Sequence, residues 1–163
     1  APTRNLKIDY YNRAREAFNR SLEIYPQNSY ALYNYGVLEH FAGNLPAAET
    51  LYRKVVDESP DNKDAWNNLC AIAIDKEQYD SALIYLFKKL QLEPGNSMTL
   101  GDIGAIYQRM RNYQKAIEYD KKALSIDPLN QTVVNNLLQV YSVLGDSVGI
   151  REVLRHKRSN GIK

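Results

Sequence analysis

Residues 60–94 read PDNKDAWNNLCAIAIDKEQYDSALIYLFKKLQLEP, and the prolines that bound this stretch stand 34 residues apart. Working outward, Pro26 and Pro128 extend the same spacing in both directions. Asn28, Asn62, Asn96 and Asn130 follow two residues after each proline. A fixed period of this length marks a repeat array, in which each period is one supersecondary unit.

The side chains keep the register. Trp66 aligns with Leu32, Leu100 and Val134, and Leu69 with Tyr35, Ile103 and Leu137. A small residue comes next at Gly36, Cys70 and Gly104, with Leu138 as the exception. Ala82 aligns with Ala14, Ala48 and Ala116. Ala31, Leu32, Tyr35, Leu38 and the stem of Glu39 follow helical spacing, as do Ala65, Trp66, Leu69, Ile72 and Ala73. A second stripe holds Leu83, Leu86, Leu90 and Leu92. Each period therefore predicts two amphipathic helices and a short turn, with breaks at Gly43-Asn44 and Gly145-Asp146. The small residues let paired helices approach closely, where a bulky one would overpack. Each proline disfavours helix at the residue before it. One helix pair cannot bury its own apolar face, so neighbouring pairs must stack.

Taken in order, the spacing predicts a lone second helix over Asn12–Tyr25, its first helix missing or reduced to a stub. Helix pairs follow at Ser29–Ala42 with Leu45–Ser59, Lys63–Lys76 with Tyr79–Leu92, and Ser97–Met110 with Tyr113–Ile126. Pro46 falls in the first turn of its helix, where a missing N–H costs little. A fourth pair, Gln131–Leu144 and Ser147 to about Arg158, drifts from the pattern: Ile150 replaces the alanine, and Gly149 reads as an interruption. As domains this is a single unit over 1–163: a truncated repeat at 9–28, repeats at 29–62, 63–96 and 97–130, and a degenerate capping repeat at 131–163.

The order Trp-x-x-Leu-Gly-x-x-Tyr, then Ala, an aromatic and Pro, is the pattern of the tetratricopeptide repeat, which the whole chain resembles. That resemblance implies an all-α fold, an α-solenoid of helix-turn-helix pairs stacked as a right-handed superhelix. It also implies a protein-binding role.

Composition narrows the function. Net charge is +2, which gives no electrostatic footing for nucleic acid. A single cysteine excludes an internal disulfide and fits a reducing compartment. No apolar run is long enough to span a membrane, and no signal peptide is evident. The sequence begins at Ala1 in mid-repeat and reads as a fragment or processed product. From Asp146 onward five basic and two acidic residues give +3, leaving −1 for the rest. That end suits either a solvated cap or a contact with phosphate, lipid headgroups or an acidic partner.

Nothing points to catalysis, a cofactor, a metal or a small-molecule substrate. His40 and His156 are far apart, and Cys70 stands at a small packing position, so neither zinc ligation nor thiol chemistry has its ligand set or base. His40 reads as a surface residue. No phosphate loop or nucleotide fingerprint occurs.

What remains is the face of each first helix opposite its buried stripe, which by resemblance lines the concave groove of this family. Those positions are Tyr30, Tyr33, Asn34, Val37 and Phe41; then Asp64, Asn67, Asn68 and Asp75; then Met98, Asp102 and Arg109; then Asn135, Asn136 and Gln139. Asn34, Asn68, Asp102 and Asn136 share one register. It is similar to the asparagine ladder in the repeats of O-linked N-acetylglucosamine transferases, where amides pair with a peptide backbone. The same amides also suit hydrogen bonds between neighbouring helices. The family's two-carboxylate clamp would fall on Tyr33, Val37, Asn68, Met98 and Asp102, and only Asn68 matches. A clamp for acidic chaperone tails is therefore not expected. Tyr30, Tyr33, Val37 and Phe41 make one part of the groove aromatic, while Asp64, Asp75 and Asp102 make another acidic. A segment with apolar anchors and a Lys or Arg would suit both. The expected partner is another protein or an extended peptide. Two other roles stay open: self-association through an exposed N-terminal helix face, and presentation of substrates within a larger enzyme.

Overall fold

The structure, a computed structural model, describes residues 4–161. Ala1 and Lys163 of the basic C-terminal stretch lie outside the described residues. Contacts divide the chain into two units, Ala1–Glu77 and Gln78–Lys163. The division falls between the two helices of the repeat at 63–96. All nine elements among the described residues are helices.

The first unit holds α1 (Arg4–Ile24), α2 (Ser29–Phe41), α3 (Leu45–Glu58) and α4 (Lys63–Asp75). The second holds α5 (Tyr79–Leu92), α6 (Ser97–Arg109), α7 (Tyr113–Ile126), α8 (Gln131–Leu144) and α9 (Ser147–Ser159). From α2 onward the ends agree with the spacing to within a residue or so. The first helix does not: it is already formed at Arg4, well before Asn12. Residues 4–11 contain neither Gly nor Pro, so nothing in them stops a helix from extending.

The repeated asparagines are the N-caps. The side-chain oxygens of Asn28, Asn62, Asn96 and Asn130 accept from the backbone N–H of Ala31, Ala65, Thr99 and Val133, respectively. Each satisfies a donor that the helix start leaves unpaired, worth about 1 kcal/mol. The turns repeat as well. Gly43, Glu77, Arg111 and Gly145 all have positive φ, at 81°, 55°, 58° and 68°. Glycine accepts this conformation freely, whereas Glu77 and Arg111 hold it with a Cβ at a cost of about 1 kcal/mol.

In the first unit the core forms where α2 meets α3. Tyr52 is fully buried with its ring against Gly36, and a Cβ on Gly36 would lie 2.7 Å from that ring. Phe18 of α1 stacks on Tyr35 at 5.6 Å. Glu39 differs from expectation: its whole side chain is buried, not only the stem. The carboxylate is satisfied there. The Tyr11 hydroxyl donates to its two oxygens at 3.0 and 2.9 Å, and the Asn44 amide at 2.7 Å. The Arg15 guanidinium lies 3.5 Å away. A buried charge is tolerated when so surrounded.

In the second unit Leu100, Ala123, Leu124, Val133, Val134, Leu137, Tyr141 and Val153 form one cluster. Gly149 does not interrupt α9. It is buried in the first turn against the Tyr141 ring, and Asp146 caps that turn by accepting from Val148 and Gly149 N–H at 3.0 Å each. Leu92, placed in the second stripe, is instead exposed at the end of α5.

Asp120 breaks the pattern most. It stands in register with the core residues Tyr52 and Leu86, is fully buried, packs against Gly104, and neither carboxyl oxygen has a hydrogen-bond partner. Burial pushes this carboxyl from its ordinary 3.8 up to about 7.

Two outcomes follow from these positions. Below pH 3.8 the Asp120 proton is bound in both states; between there and about 7 only the folded state keeps it, so stability falls as pH rises. Urea unfolding at pH 5 and pH 8 should show a loss of about 2–3 kcal/mol that Asp120→Asn removes. An equal loss in that variant would contradict the assignment. Separately, Glu77→Gly should raise unfolding stability by about 0.5–1 kcal/mol by relieving the left-handed turn. A drop in the urea midpoint would show that the Glu77 side chain stabilises the turn.

Candidate functional site

The first unit gathers Tyr33, Val37 and Phe41 with Asn68 around a cavity of about 320 Å³, completed by His40 and Tyr52. The α2 residues stand one helical turn or so apart, so they project as one strip. Tyr52 lies across that strip, its ring 5.9 Å from Tyr33 and 6.3 Å from His40. Burial, and secondarily Tyr33, pushes the Tyr52 phenol up to about 12, so it stays protonated. Phe41 is 90% exposed and Tyr30 is 79% exposed. His40 is half-buried with its ring edge toward Tyr52, which explains why it is not the surface residue expected.

The asparagine register is partly engaged within the fold. The Asn34 amide donates to the Tyr30 carbonyl of its own helix at 2.8 Å. The Asn68 amide donates to the Tyr33 hydroxyl at 3.4 Å, linking α4 to α2. Asp64, Asn67 and Asp75 are exposed and lie outside the cavity lining.

The second unit has a cavity of about 460 Å³ with a different character. It collects Arg109, Asn136 and Gln139, adding Ala105, Gln108, Arg111, Tyr113 and Val143. Met98 is exposed and outside it. Asn135 is exposed and accepts from the Gln131 amide at 3.0 Å. Asp102 is largely exposed; the partial cover over its carboxyl raises its pKa, and Lys89 works against that rise.

The residues that sequence reasoning missed are His40, Tyr52, Gln108, Arg111 and Tyr113. Only Arg111 carried a visible signal, since it stands where Gly43 and Gly145 stand in other turns. Cys70 is buried as expected for a small packing residue. Among the described residues no group of His, Cys, Asp and Glu could hold a metal, and no helix is long and apolar enough to cross a membrane.

Comparison with known proteins agrees with this architecture. Three models of the tetratricopeptide repeat match residues 9–63, 42–88 and 99–128. A crystal structure of MamA superposes with a TM-score of 0.76 at 20% identity, covering 94% of this chain and 92% of that one. YrrB, described as a TPR protein with an unusual peptide-binding site, superposes with 0.75 at 18% identity, covering 92% and 77%. At such identities the likeness speaks for the fold. The human protein O-mannosyl-transferase TMTC3 is 24% identical over 98 residues, which are 58% of this chain and 11% of that protein. The chain thus spans a small part of that relative. With its period, capping and helix pairs matched by three models that together span more than half of it, the chain belongs to the tetratricopeptide-repeat family and has that family's all-α solenoid fold.

Proposed function

We propose that this chain is a non-catalytic protein-binding module that holds a partner's extended segment in the concave groove, against the faces of its first helices that lie opposite their buried stripes. The fold suits a protein–protein interaction scaffold, and YrrB lends support as a neighbour with a peptide-binding site. The observation that carries the reading is the aromatic cavity of the first unit. Phe41 lines it with a ring that is almost wholly exposed, and a ring left in water at a cavity is an anchor site for an apolar side chain. Asn34 and Asn68 each engage one amide N–H within the fold, so the second N–H and the amide oxygen of each remain to pair with a partner's backbone.

Panning a peptide-display library against the chain, with a Tyr33→Ala/Phe41→Ala variant as counter-target, tests this. Binders should share an apolar residue and lose about tenfold or more in affinity on the variant, the effect of removing one aromatic hot spot. Binders indifferent to both substitutions would overturn the site. Phe41 is exposed, so its removal leaves the core intact.

Two readings stand beside this one. Leu6, Ile8, Tyr10 and Ile24 of α1 are all exposed, which favours self-association along that helix. Sedimentation at rising concentration should then show a growing mass that Tyr10→Lys/Ile24→Lys abolishes; a constant monomer mass ends that reading. The likeness to a segment of an O-mannosyl-transferase supports a recognition role within a longer polypeptide.

A further inference from the structure

We infer that the cavity flanked by α6 and α8 is an anion site that takes the phosphorylated side chain of a partner peptide. This rests on the reading that first-helix faces bind a partner segment, and it names what one of them recognises.

Two arginines, Arg109 at the end of α6 and Arg111 in the turn after it, line this cavity. Neither makes an ion pair or side-chain hydrogen bond among the described residues. Gln108, Asn136 and Gln139 bring further amide donors, and no carboxylate belongs to the lining. The buried Asp120 of the same unit is sealed from solvent and takes no part. The pocket therefore carries a net charge of two positives, with planar forks and amides around a space of about 460 Å³. One carboxylate can occupy one guanidinium fork. A phosphomonoester carries nearly two negative charges and three acceptor oxygens, which matches both forks at once.

Arg111 supplies an independent reason. Its backbone is left-handed, at φ 58°, where two sibling turns use Gly43 and Gly145. An arginine there strains the turn, and its side chain makes no ion pair or hydrogen bond among the described residues; only its backbone N–H is engaged, donating to the Gln108 carbonyl at 2.9 Å. What it does is bring a second cation to the cavity. The corresponding positions of the first unit, Phe41 with Gly43 and Asp75 with Glu77, bring none. These arginines are also not at the clamp positions considered from the sequence, of which only Asn68 matched.

The test uses blocked tripeptides, acetyl-Ala-X-Ala-amide, with X as phosphoserine, glutamate or serine. Arginine Nε–Hε resonances of the whole chain are followed by NMR, with inorganic phosphate as a further arm. The phosphoserine peptide should shift the Arg109 and Arg111 signals saturably, bind about tenfold tighter than the glutamate peptide, and the serine peptide should give no shift. Inorganic phosphate should bind more weakly than the phosphopeptide. Arg109→Gln and Arg111→Gly should each weaken the phosphopeptide by about tenfold or more. Arg111→Gly is safe for the fold, since glycine is what the sibling turns use, and its melting temperature should equal or exceed the parent's. No saturable shift, equal binding by glutamate, phosphate binding as tight as the phosphopeptide's, or undiminished binding by Arg111→Gly would overturn the inference. Panned peptides lost on the Tyr33/Phe41 variant alongside a silent phosphopeptide would sink this inference and leave the binding role standing. The reverse pattern would sink the aromatic anchor alone.

Discussion

The contact that the helix pairs depend on is a small residue on one helix pressed by a large side chain from the next. Gly36 under the Tyr52 ring is the clearest case, since even a methyl group there would meet the ring at 2.7 Å. The Tyr141 ring on Gly149 repeats it with the roles of the helices exchanged. Such contacts set how near two helices come, and interiors at crystal-like density leave little latitude in that distance. Once one face of a first helix is committed to this contact, its opposite face has no partner within the pair. The surface proposed to bind a partner is thus a consequence of the packing rule, and only its side chains remain to be chosen.

The two buried carboxylates show how far the core tolerates exceptions. Glu39 is surrounded by a phenol, an amide and a guanidinium, so its charge stays hydrogen-bonded without water. Asp120 has no such company, and burial favours its neutral acid up to about pH 7. At the surface the sign reverses. Hydrogen bonds from Lys76 and then Arg53 hold the Glu49 carboxyl below its ordinary range, so that group stabilises the fold at neutral pH and ceases to as pH falls. The first unit therefore loses an ion-pair contribution on acidification, while the second is relieved of a destabilising one.

The fold was legible because it is the periodic part of the sequence. Proline, asparagine, small and bulky apolar residues recur at 34 residues, and each recurrence has one physical job. The asparagine period is plain in the sequence, but that each asparagine caps a helix shows only in the hydrogen bonds. The first helix was read too short because its early turns, with Leu6, Ile8 and Tyr10 exposed, bury no stripe for periodicity to detect. The sites were legible only as faces. Spacing could place Tyr33, Val37 and Phe41 on one strip, but not put His40 and Tyr52 beside them, since those come from a packing contact. Nor could it separate Asn67, which lies free of the cavity, from Asn68, which lines it.

Departures from the period therefore carry the functional information, but they are not equal. Asp120, Glu39, Glu77 and Arg111 each depart from what sibling repeats place in the same register. Glu39 is accounted for by its partners. Asp120 strains the core but is sealed, so no ligand can reach it in the folded state. Glu77 strains a turn but belongs to the lining of neither cavity described above. Arg111 alone combines a strained backbone with a side chain at an open, polar, positively charged cavity. Strain that the fold does not need, placed where a ligand can enter, is the arrangement expected when function rather than stability sets a residue. On that criterion the turn between α6 and α7 is where the proposed anion site, rather than the fold, accounts for the residue the sequence places there.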